Sequence, residues 1–180
     1  GLDFEEGDGD HYDFEGDQIE ISAQEGFSIF LVCKLESHGS NQTVLGLDNV
    51  NHFLEFQGGA DNVRIKLGSG SQSGNVPLAT ISPGDGSQNH FTSGEKFLLV
   101  LKRDPGGTGN IHLYKNGVLL AQDSQAANPN DGEFSSLGVR NADRFLDGIV
   151  HDILMVEAGE DLDPVRDRIT AYLMGKHGLV

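Results

Sequence analysis

Cysteine, tryptophan and basic residues are scarce in this chain of 180 residues. The single cysteine, Cys33, excludes an intrachain disulfide, and its position in an apolar run predicts a small core residue rather than a nucleophile. Lys and Arg number 12 against 28 Asp and Glu, which gives a formal charge of −16. Because that charge repels phosphate backbones and anionic headgroups, we expect no nucleic-acid partner.

Long hydrophobic runs are also missing. No stretch is long enough to span a bilayer, so we expect no membrane insertion. The opening residues, Gly-Leu-Asp-Phe-Glu-Glu, lack the basic and apolar regions of a signal peptide. Because the first residue is not methionine, we expect an excised or trimmed chain from which a targeting segment can have been removed.

The clearest structural signal in the sequence is the segment 111–122, Ile-His-Leu-Tyr-Lys-Asn-Gly-Val-Leu-Leu-Ala-Gln. Its side chains alternate up to the pair Asn116-Gly117, which tolerates the two positive φ angles of a type I′ turn. The segment is therefore predicted to be a β-hairpin. Because an isolated hairpin is marginally stable in water, its apolar face must lie on a larger sheet.

Strand patterns recur along the chain at intervals of roughly ten residues, and 25 glycines indicate many turns. Only the C-terminal segment has helical spacing: Asp163 is predicted to cap a helix over 164–177, which Pro164 can start. The expected fold is all-β, a two-sheet antiparallel jelly-roll sandwich with one C-terminal helix, in a single domain over 1–180. Besides the hairpin, strands are predicted at 12–14 and 19–21, on either side of a turn at 15–17, and at 27–35, 43–47, 53–56, 63–67, 76–81, 97–102, 134–139 and 149–156.

Four segments carry a resemblance to a known family. They are Leu2-Asp-Phe with His11-Tyr-Asp-Phe, Phe27-Ser-Ile-Phe-Leu-Val, Leu113-Tyr-Lys-Asn-Gly-Val, and Phe145-Leu-Asp-Gly-Ile-Val-His-Asp-Ile-Leu-Met-Val. In this order they resemble the opening strands, the F-T-I-x-x-W-V strand, the L-Y-V-N-G hairpin and the F-x-G-x-I-x-E-V-x-I-Y strand of laminin G-like domains. These domains are a group of the concanavalin A-like lectin/glucanase superfamily. The tail 171–179 is similar to the helix that closes many bacterial and viral members.

The resemblance implies a β-sandwich that binds glycans, matrix proteins or cell surfaces, or that has a structural role. Only some branches of the superfamily are enzymes, so the fold limits the function loosely. We expect a non-enzymatic recognition or adhesion module that binds carbohydrate or a cell-surface or matrix ligand, on a secreted or virion-surface protein. The alternative is a structural module of a phage particle or adhesin with no small ligand.

Two turns rich in Asp and Asn resemble a calcium site. Asp48 and Asn49 precede the strand at 53–56 much as an Asp-Asn pair does in the pentraxin branch. Asn141 and Asp143 precede the last strand, where that branch places further ligands. Carboxylate and amide oxygens are the ligands that Ca²⁺ prefers. The alternative is that these side chains bond only to their own backbone, since no loop of fixed spacing such as an EF-hand is present.

The segment 15–20 resembles the catalytic motif of a family of glycoside hydrolases. Glu15-Gly-Asp-Gln-Ile-Glu matches the E-x-D-x-x-E pattern of family 16 glycoside hydrolases, whose two glutamates act as nucleophile and general acid/base. Those enzymes carry the pattern on a central strand and line their clefts with tryptophan. Here Gly16 and Asp17 predict a turn and the chain has no tryptophan, so we do not expect catalysis.

Glycan binding without hydrolysis uses aromatic platforms, with amides and carboxylates for the sugar hydroxyls. The chain has only three tyrosines, and Tyr172 is expected in the core of the C-terminal helix. Polar loop residues are therefore the candidates for ligand contact, and simple solvation is the alternative for each. They are His38, Asn41, His52, Gln72, Asn89 and His90.

Overall fold

The structure, a computed structural model, shows β-strands, a short 3₁₀ turn at Glu6–Asp8 and one α-helix within its described residues. The described residues are 1–16, 18–22, 25–37, 39–47, 52–58, 62–67, 78–81, 90–105, 110–123, 131–141, 144–159 and 161–179. The strands are β1 (Leu2–Phe4), β2 (Tyr12–Asp13), β3 (Ile19–Ile21), β4 (Gly26–Leu35), β5 (Gln42–Gly46), β6 (Phe53–Gln57), β7 (Asn62–Lys66), β8 (Leu78–Ile81), β9 (Lys96–Arg103), β10 (Ile111–Lys115), β11 (Val118–Asp123), β12 (Gly132–Phe134), β13 (Ser136–Leu137) and β14 (Gly148–Ala158).

The first sheet contains six described antiparallel strands in the order β1-β14-β4-β9-β10-β11. β4 lies inside this sheet because nearly all its side chains are apolar, and they are buried on both faces. Phe27 and Ile29 belong to the main core between the sheets. Phe30 and Val32 belong to a second core on the opposite face. The strand predicted at 27–35 is thus confirmed.

The second sheet has six described strands in the order β2-β13-β5-β6-β7-β8, and β3 and β12 form a separate two-stranded ribbon. Side chains from both six-stranded sheets share one core. In it Phe56 of β6 meets Phe97 of β9 edge to face, with ring centroids 6.0 Å apart. The two sheets therefore stack face to face, which confirms the predicted sandwich. β8 confirms the short strand predicted at 76–81.

The hairpin predicted at 111–122 is present. β10 pairs with β11, and the turn residues Asn116 and Gly117 have φ angles of 48° and 79°. Both angles are positive, as a type I′ turn requires. The Asn116 side chain also accepts a hydrogen bond from the N–H of Leu98 at 2.9 Å, which ties the turn to β9.

The turn predicted at 15–17 separates two strands that belong to different sheets. β2 pairs with β13, whereas β3 pairs with β12. Glu15 and Gly16 have φ angles of 44° and 94°, so the backbone bends sharply between the two pairings. Both partner strands lie far along the chain, and the alternation of apolar and polar side chains within a short strand does not indicate which strand it pairs with. The sequence therefore could not predict that β2 and β3 belong to different sheets.

The C-terminal helix α1 spans Asp163–His177 and packs on the outer face of the first sheet. Leu173 is buried there beside Phe30 and Leu98. Burial of this face stabilises the helix more than its own propensity does. No helix within the described residues is long and apolar enough to cross a membrane.

Two expectations about this helix were wrong. Asp163 does not cap the helix; its own N–H donates to the Asp161 carboxylate at 2.9 Å, and its carboxylate accepts from Lys102 Nζ at 2.5 Å. Tyr172 is 65% exposed instead of lying in the helix core. Successive helical residues are rotated by about 100°, so Tyr172 faces away when its neighbour Leu173 faces the sheet.

Candidate ligand-binding site

A cavity of about 330 Å³ opens beside the ribbon of β3 and β12. Its volume is at the lower end of the range found for small-molecule sites. The lining is mainly polar and acidic, and the residue before β6 adds a histidine. The lining residues are Glu20 and Ile21 of β3, Gly132 and Glu133 of β12, and Ser22, His52 and Asp131.

The ribbon places two carboxylates side by side on the cavity wall. Antiparallel pairing sets Glu133 directly opposite Glu20 and Gly132 opposite Ile21. Directly opposed side chains have Cβ atoms about 5 Å apart, and like charges in this position repel each other. A Cβ on Gly132 would lie 2.6 Å from Leu67 Cδ2, so a larger residue at that position would force the Leu67 side chain to move. The strand pairing thus sets two negative charges opposite each other on the ribbon.

His52 is the third polar group of the wall, and it is only 9% exposed. Its Nδ1 accepts a hydrogen bond from the backbone N–H of Glu133 at 2.9 Å. Burial lowers the pKa of His52; the charge of Glu133 opposes this shift, and that of Lys66 adds to it. The ring is therefore neutral near neutral pH and carries its proton on Nε2. Within the described part of the chain, Nε2 makes no hydrogen bond.

A buried cation holds the end of β3 in place. Arg103 donates hydrogen bonds to the carbonyl oxygens of Ser22 at 2.5 Å and Glu25 at 2.8 Å. Burial lowers the pKa of Arg103, and the nearby charges of Glu157 and Asp131 oppose that shift. Because Ser22 and Asp131 also line the cavity, this guanidinium connects the wall to the core.

His52 is the residue of the predicted ligand contacts that lies in the cavity. Asn41 and His90 have other roles among the described residues. The Asn41 side chain accepts a hydrogen bond from the N–H of Gly58 at 2.9 Å. The His90 carbonyl accepts one from Lys115 Nζ at 2.6 Å. The remaining predicted contacts lie outside the described residues: His38, Gln72 and Asn89.

The predicted calcium residues lie in two segments whose described neighbours touch each other. A Cβ on Gly46 would lie 2.1 Å from the carbonyl oxygen of Val139, so the backbones before the two segments are in close contact. The guanidinium carbon of Arg140 lies 3.9 Å from the centroid of the Phe53 ring. Asn141 is exposed with a φ of 54°. The other three predicted ligands lie outside the described residues: Asp48, Asn49 and Asp143.

A buried carboxylate contacts the two arginines that flank residues 141–143 in the sequence. Glu55 of β6 is fully buried. Its Oε2 lies 3.4 Å from Arg140 Nη1 and 3.7 Å from Arg144 Nη1. Its Oε1 lies 2.9 Å from Nη1 of Arg64 on β7. One negative charge therefore links two strands of the second sheet to the residues that flank this segment.

A further group of carboxylates lies near the N-terminus. Asp3, Glu5 and Glu36 are exposed, and one carboxylate oxygen from each lies within 4.8 Å of the others. Partial desolvation and the charges of Asp3 and Glu36 raise the pKa of Glu5. Hard oxygen ligands of this kind fit Ca²⁺. Sequence reasoning did not select this group, because Glu36 joins the other two only through the pairing of β14 with β1 and β4.

The two glutamates of the hydrolase pattern do not share a strand. Glu15 lies in a turn, whereas Glu20 lies in β3, on the two-stranded ribbon. Asp17, between them, lies outside the described residues. Family 16 hydrolases need the pattern on a central strand of a large sheet, so this placement argues against the hydrolase hypothesis.

A second depression, also of about 330 Å³, lies between α1 and β14. Its described lining is mainly apolar and includes Leu154, Ile169 and Tyr172, with Arg168 as the charged member. Sugar hydroxyls need hydrogen-bond partners, and this lining offers few. The ribbon cavity is therefore the better candidate for a polar ligand.

Three residues of the ribbon cavity were not anticipated: Asp131, Gly132 and Glu133. They follow a polar loop and match no motif of fixed spacing. Their place in the cavity depends on the pairing of β12 with β3 and on the hydrogen bond to His52. Neither contact leaves a signal in the local sequence.

No protein-family model matches the chain, and no curated protein matches it in sequence. Solved structures do match. A native heptameric SAP-like pentraxin from Limulus polyphemus has a TM-score of 0.56 and 11% identity, over 81% of this chain and 68% of the pentraxin. Domains LG4-5 of the mouse laminin α1 chain have a TM-score of 0.52 and 15% identity, over 90% of this chain and 41% of that chain.

The chain has a concanavalin A-like, laminin G-like fold. The match confirms the resemblance seen in the sequence segments. Another structure with this laminin G-like fold is the binding domain of botulinum neurotoxin DC in complex with SialylT. Its TM-score is 0.53 at 16% identity, over 87% of this chain and 40% of that chain. The present chain thus spans less than half of the laminin and toxin chains.

Proposed function

We propose that this laminin G-like chain is a non-enzymatic recognition or adhesion module that binds carbohydrate in the cavity around His52. The observation that carries the proposal is that His52, with an N–H donor, lines the same cavity as Glu20 and Glu133. Each sugar hydroxyl can donate to a carboxylate and accept from an N–H, so a cavity with both groups suits a polyhydroxylated ligand. The toxin binding domain of similar fold, solved with SialylT, supports the same class of ligand.

We further propose that the residues 1–180 form one domain of a secreted or virion-surface protein, and that the carbohydrate belongs to a cell-surface or matrix partner. The competing hypothesis is a structural module of a phage particle or adhesin that binds no small ligand. The two differ in one measurable respect, which is the presence of specific glycan binding.

A glycan array tests the proposal. The wild-type chain should bind several related glycans, and Glu20→Gln should weaken that binding because it replaces one charged acceptor oxygen on the cavity wall by an amide donor. Glu95→Gln is the matched control, since Glu95 is exposed, pairs with Lys115 at 2.9 Å and does not line the cavity. Absence of specific binding by the wild-type chain would instead favour the structural module.

We also propose that Asp48, Asn49, Asn141 and Asp143 together bind Ca²⁺. The contacts of Gly46 with Val139 and of Arg140 with Phe53, which flank the two segments, support this proposal. The donors are carboxylate and amide oxygens, which suit a hard cation.

Melting temperatures in calcium and in chelator test the calcium proposal. A ligand present at about 100 times its Kd stabilises the folded state by about 2.7 kcal/mol, so calcium should raise the melting temperature. Asp143→Asn should abolish that rise, whereas Glu95→Gln, outside both segments and outside the N-terminal carboxylate group, should preserve it. An unchanged melting temperature in calcium and in chelator would remove the proposal.

A further inference from the structure

The charge of the ribbon cavity favours some classes of sugar over others. Three of its described lining residues are acidic, Glu20, Asp131 and Glu133, and none of the described lining residues is Lys or Arg. The whole chain carries a formal charge of −16. Asp131 lies near the Arg103 guanidinium, whereas Glu20 and Glu133 form no ion pair with a basic residue within the described ranges. An anionic sugar would therefore be repelled by these two carboxylates, whereas a positively charged sugar would be attracted to them.

The pair Glu20 and Glu133 is the most specific feature of this wall. The two residues are directly opposed in the ribbon, and neither forms an ion pair with a basic residue in the described part of the chain. Their Cβ atoms lie about 5 Å apart, so one ammonium group between the carboxylates can donate to both. That arrangement replaces a repulsion by two charge-assisted hydrogen bonds.

His52 is an independent indication of a ligand. The side chain is nine-tenths buried, and its Nδ1 is occupied by the backbone of Glu133. His52 lines the same cavity, and its Nε2–H has no hydrogen-bond partner among the described residues. A ligand oxygen in the cavity can therefore accept a hydrogen bond from this donor. The cavity wall therefore suits a small molecule that carries both an oxygen acceptor and a positive charge.

We propose that the ligand is an amino sugar whose protonated amine lies between Glu20 and Glu133 and whose hydroxyl or ring oxygen accepts from His52 Nε2. This inference rests on the proposed carbohydrate-binding function and narrows it to cationic sugars. N-acetylation removes the charge and adds bulk at the amine, so acetylated sugars bind more weakly. Sialylated sugars carry a carboxylate and are disfavoured further.

Calorimetric titration with three matched sugars tests the proposal. The sugars are a glucosamine trisaccharide, its fully N-acetylated counterpart and sialyllactose, at a pH at which the amine is protonated. The glucosamine form should bind at least about tenfold more tightly than the acetylated form, as expected for a charge-assisted hydrogen bond. Glu20→Gln should remove most of that preference, and Glu95→Gln, which changes the net charge equally outside the cavity, should preserve it.

Three results would overturn the inference. Equal or tighter binding of the acetylated sugar or of sialyllactose would contradict it while carbohydrate binding still stood. If Glu95→Gln weakened the binding of the glucosamine form as much as Glu20→Gln does, the attraction would come from the net charge of the chain. If none of these sugars and no glycan on the array bound, the proposed function would fail together with the inference.

Discussion

Removing the charge of Glu55 should destabilise this protein more than removing any exposed carboxylate. The substitution Glu55→Gln keeps the size of the side chain and deletes one negative charge that contacts three guanidinium groups. Those contacts are 2.9 Å to Arg64, 3.4 Å to Arg140 and 3.7 Å to Arg144. Glutamine still fills the space, so the effect measures charge rather than packing.

The magnitude follows from the burial of the partners. Deleting one member of a buried ion pair typically costs about 3–5 kcal/mol, because a buried charge loses its partner. The side chains of Arg64 and Arg144 are 22% and 33% exposed and keep contact with water, whereas that of Arg140 is only 7% exposed. We therefore expect Glu55→Gln to lower the free energy of unfolding by the lower end of that range, about 3 kcal/mol. In a domain of this length, that loss lowers the melting temperature by roughly 6–12 °C.

Urea unfolding and thermal melts followed by circular dichroism measure this effect. The matched control is Glu95→Gln, whose side chain is 43% exposed and pairs with Lys115. An exposed pair of this kind contributes about 1 kcal/mol or less. If Glu55→Gln melted within about 2 °C of the wild-type chain, a difference well below the expected loss, the three arginines would not depend on this carboxylate. The account of how Glu55 holds Arg64, Arg140 and Arg144 would then be wrong.

The same substitution, glycine to alanine, should have opposite effects at two positions. Gly46→Ala should destabilise the fold by about 3 kcal/mol, because the added Cβ meets a backbone oxygen at 2.1 Å. Gly175→Ala, with open space in helix α1, should stabilise by about 0.5–1 kcal/mol, and urea unfolding of both variants checks the signs. Lys102→Met should cost about 2 kcal/mol at neutral pH, since its partner Asp163 remains half exposed. The hydrogen bond from Lys102 lowers the pKa of Asp163 below its ordinary 3.8, so this stabilisation is present above that value and is lost as pH falls through the folded pKa. The difference in the free energy of unfolding between Lys102→Met and the wild-type chain should therefore become smaller in acid. A difference that stayed constant with pH in urea titrations would contradict the stabilising role of the Lys102–Asp163 pair.

These tests bear on different parts of the proposed function. The Glu55 and Gly46 variants probe contacts between described residues that flank the two predicted calcium segments. The Lys102 variant probes the attachment of α1 to the first sheet. None of these residues lines the ribbon cavity, so sugar binding by correctly folded variants should stay close to wild type.

The strands and the hairpin were predictable from the sequence because their signals are local. Alternating side chains and the Asn116-Gly117 pair depend only on residues a few positions apart, and the structure confirms both. The helix was predictable for the same reason, but its cap was not. Asp163 has the residue type of a cap, yet a lysine from β9 binds its carboxylate, and no local pattern contains that lysine.

The candidate site was only partly predictable. His52 was one of several polar loop residues, and nothing in its neighbours distinguished it from Asn41 or His90. Glu20 was noticed for a hydrolase pattern whose geometry the structure does not reproduce. Glu133 was not noticed, because it belongs to a three-residue strand with no motif.

By itself, the sequence determined most of the secondary structure and the class of fold, since side-chain period and turn chemistry act between residues that are close along the chain. The single strand predicted at 134–139 was wrong, because two short strands, β12 and β13, lie there and pair with β3 and β5 in different sheets. The tertiary structure alone decided that β12 lies against β3, which sets Glu133 opposite Glu20 and beside His52. Pairing between distant strands depends on how the whole core packs, and a binding cavity made by such pairing has no trace in any single segment.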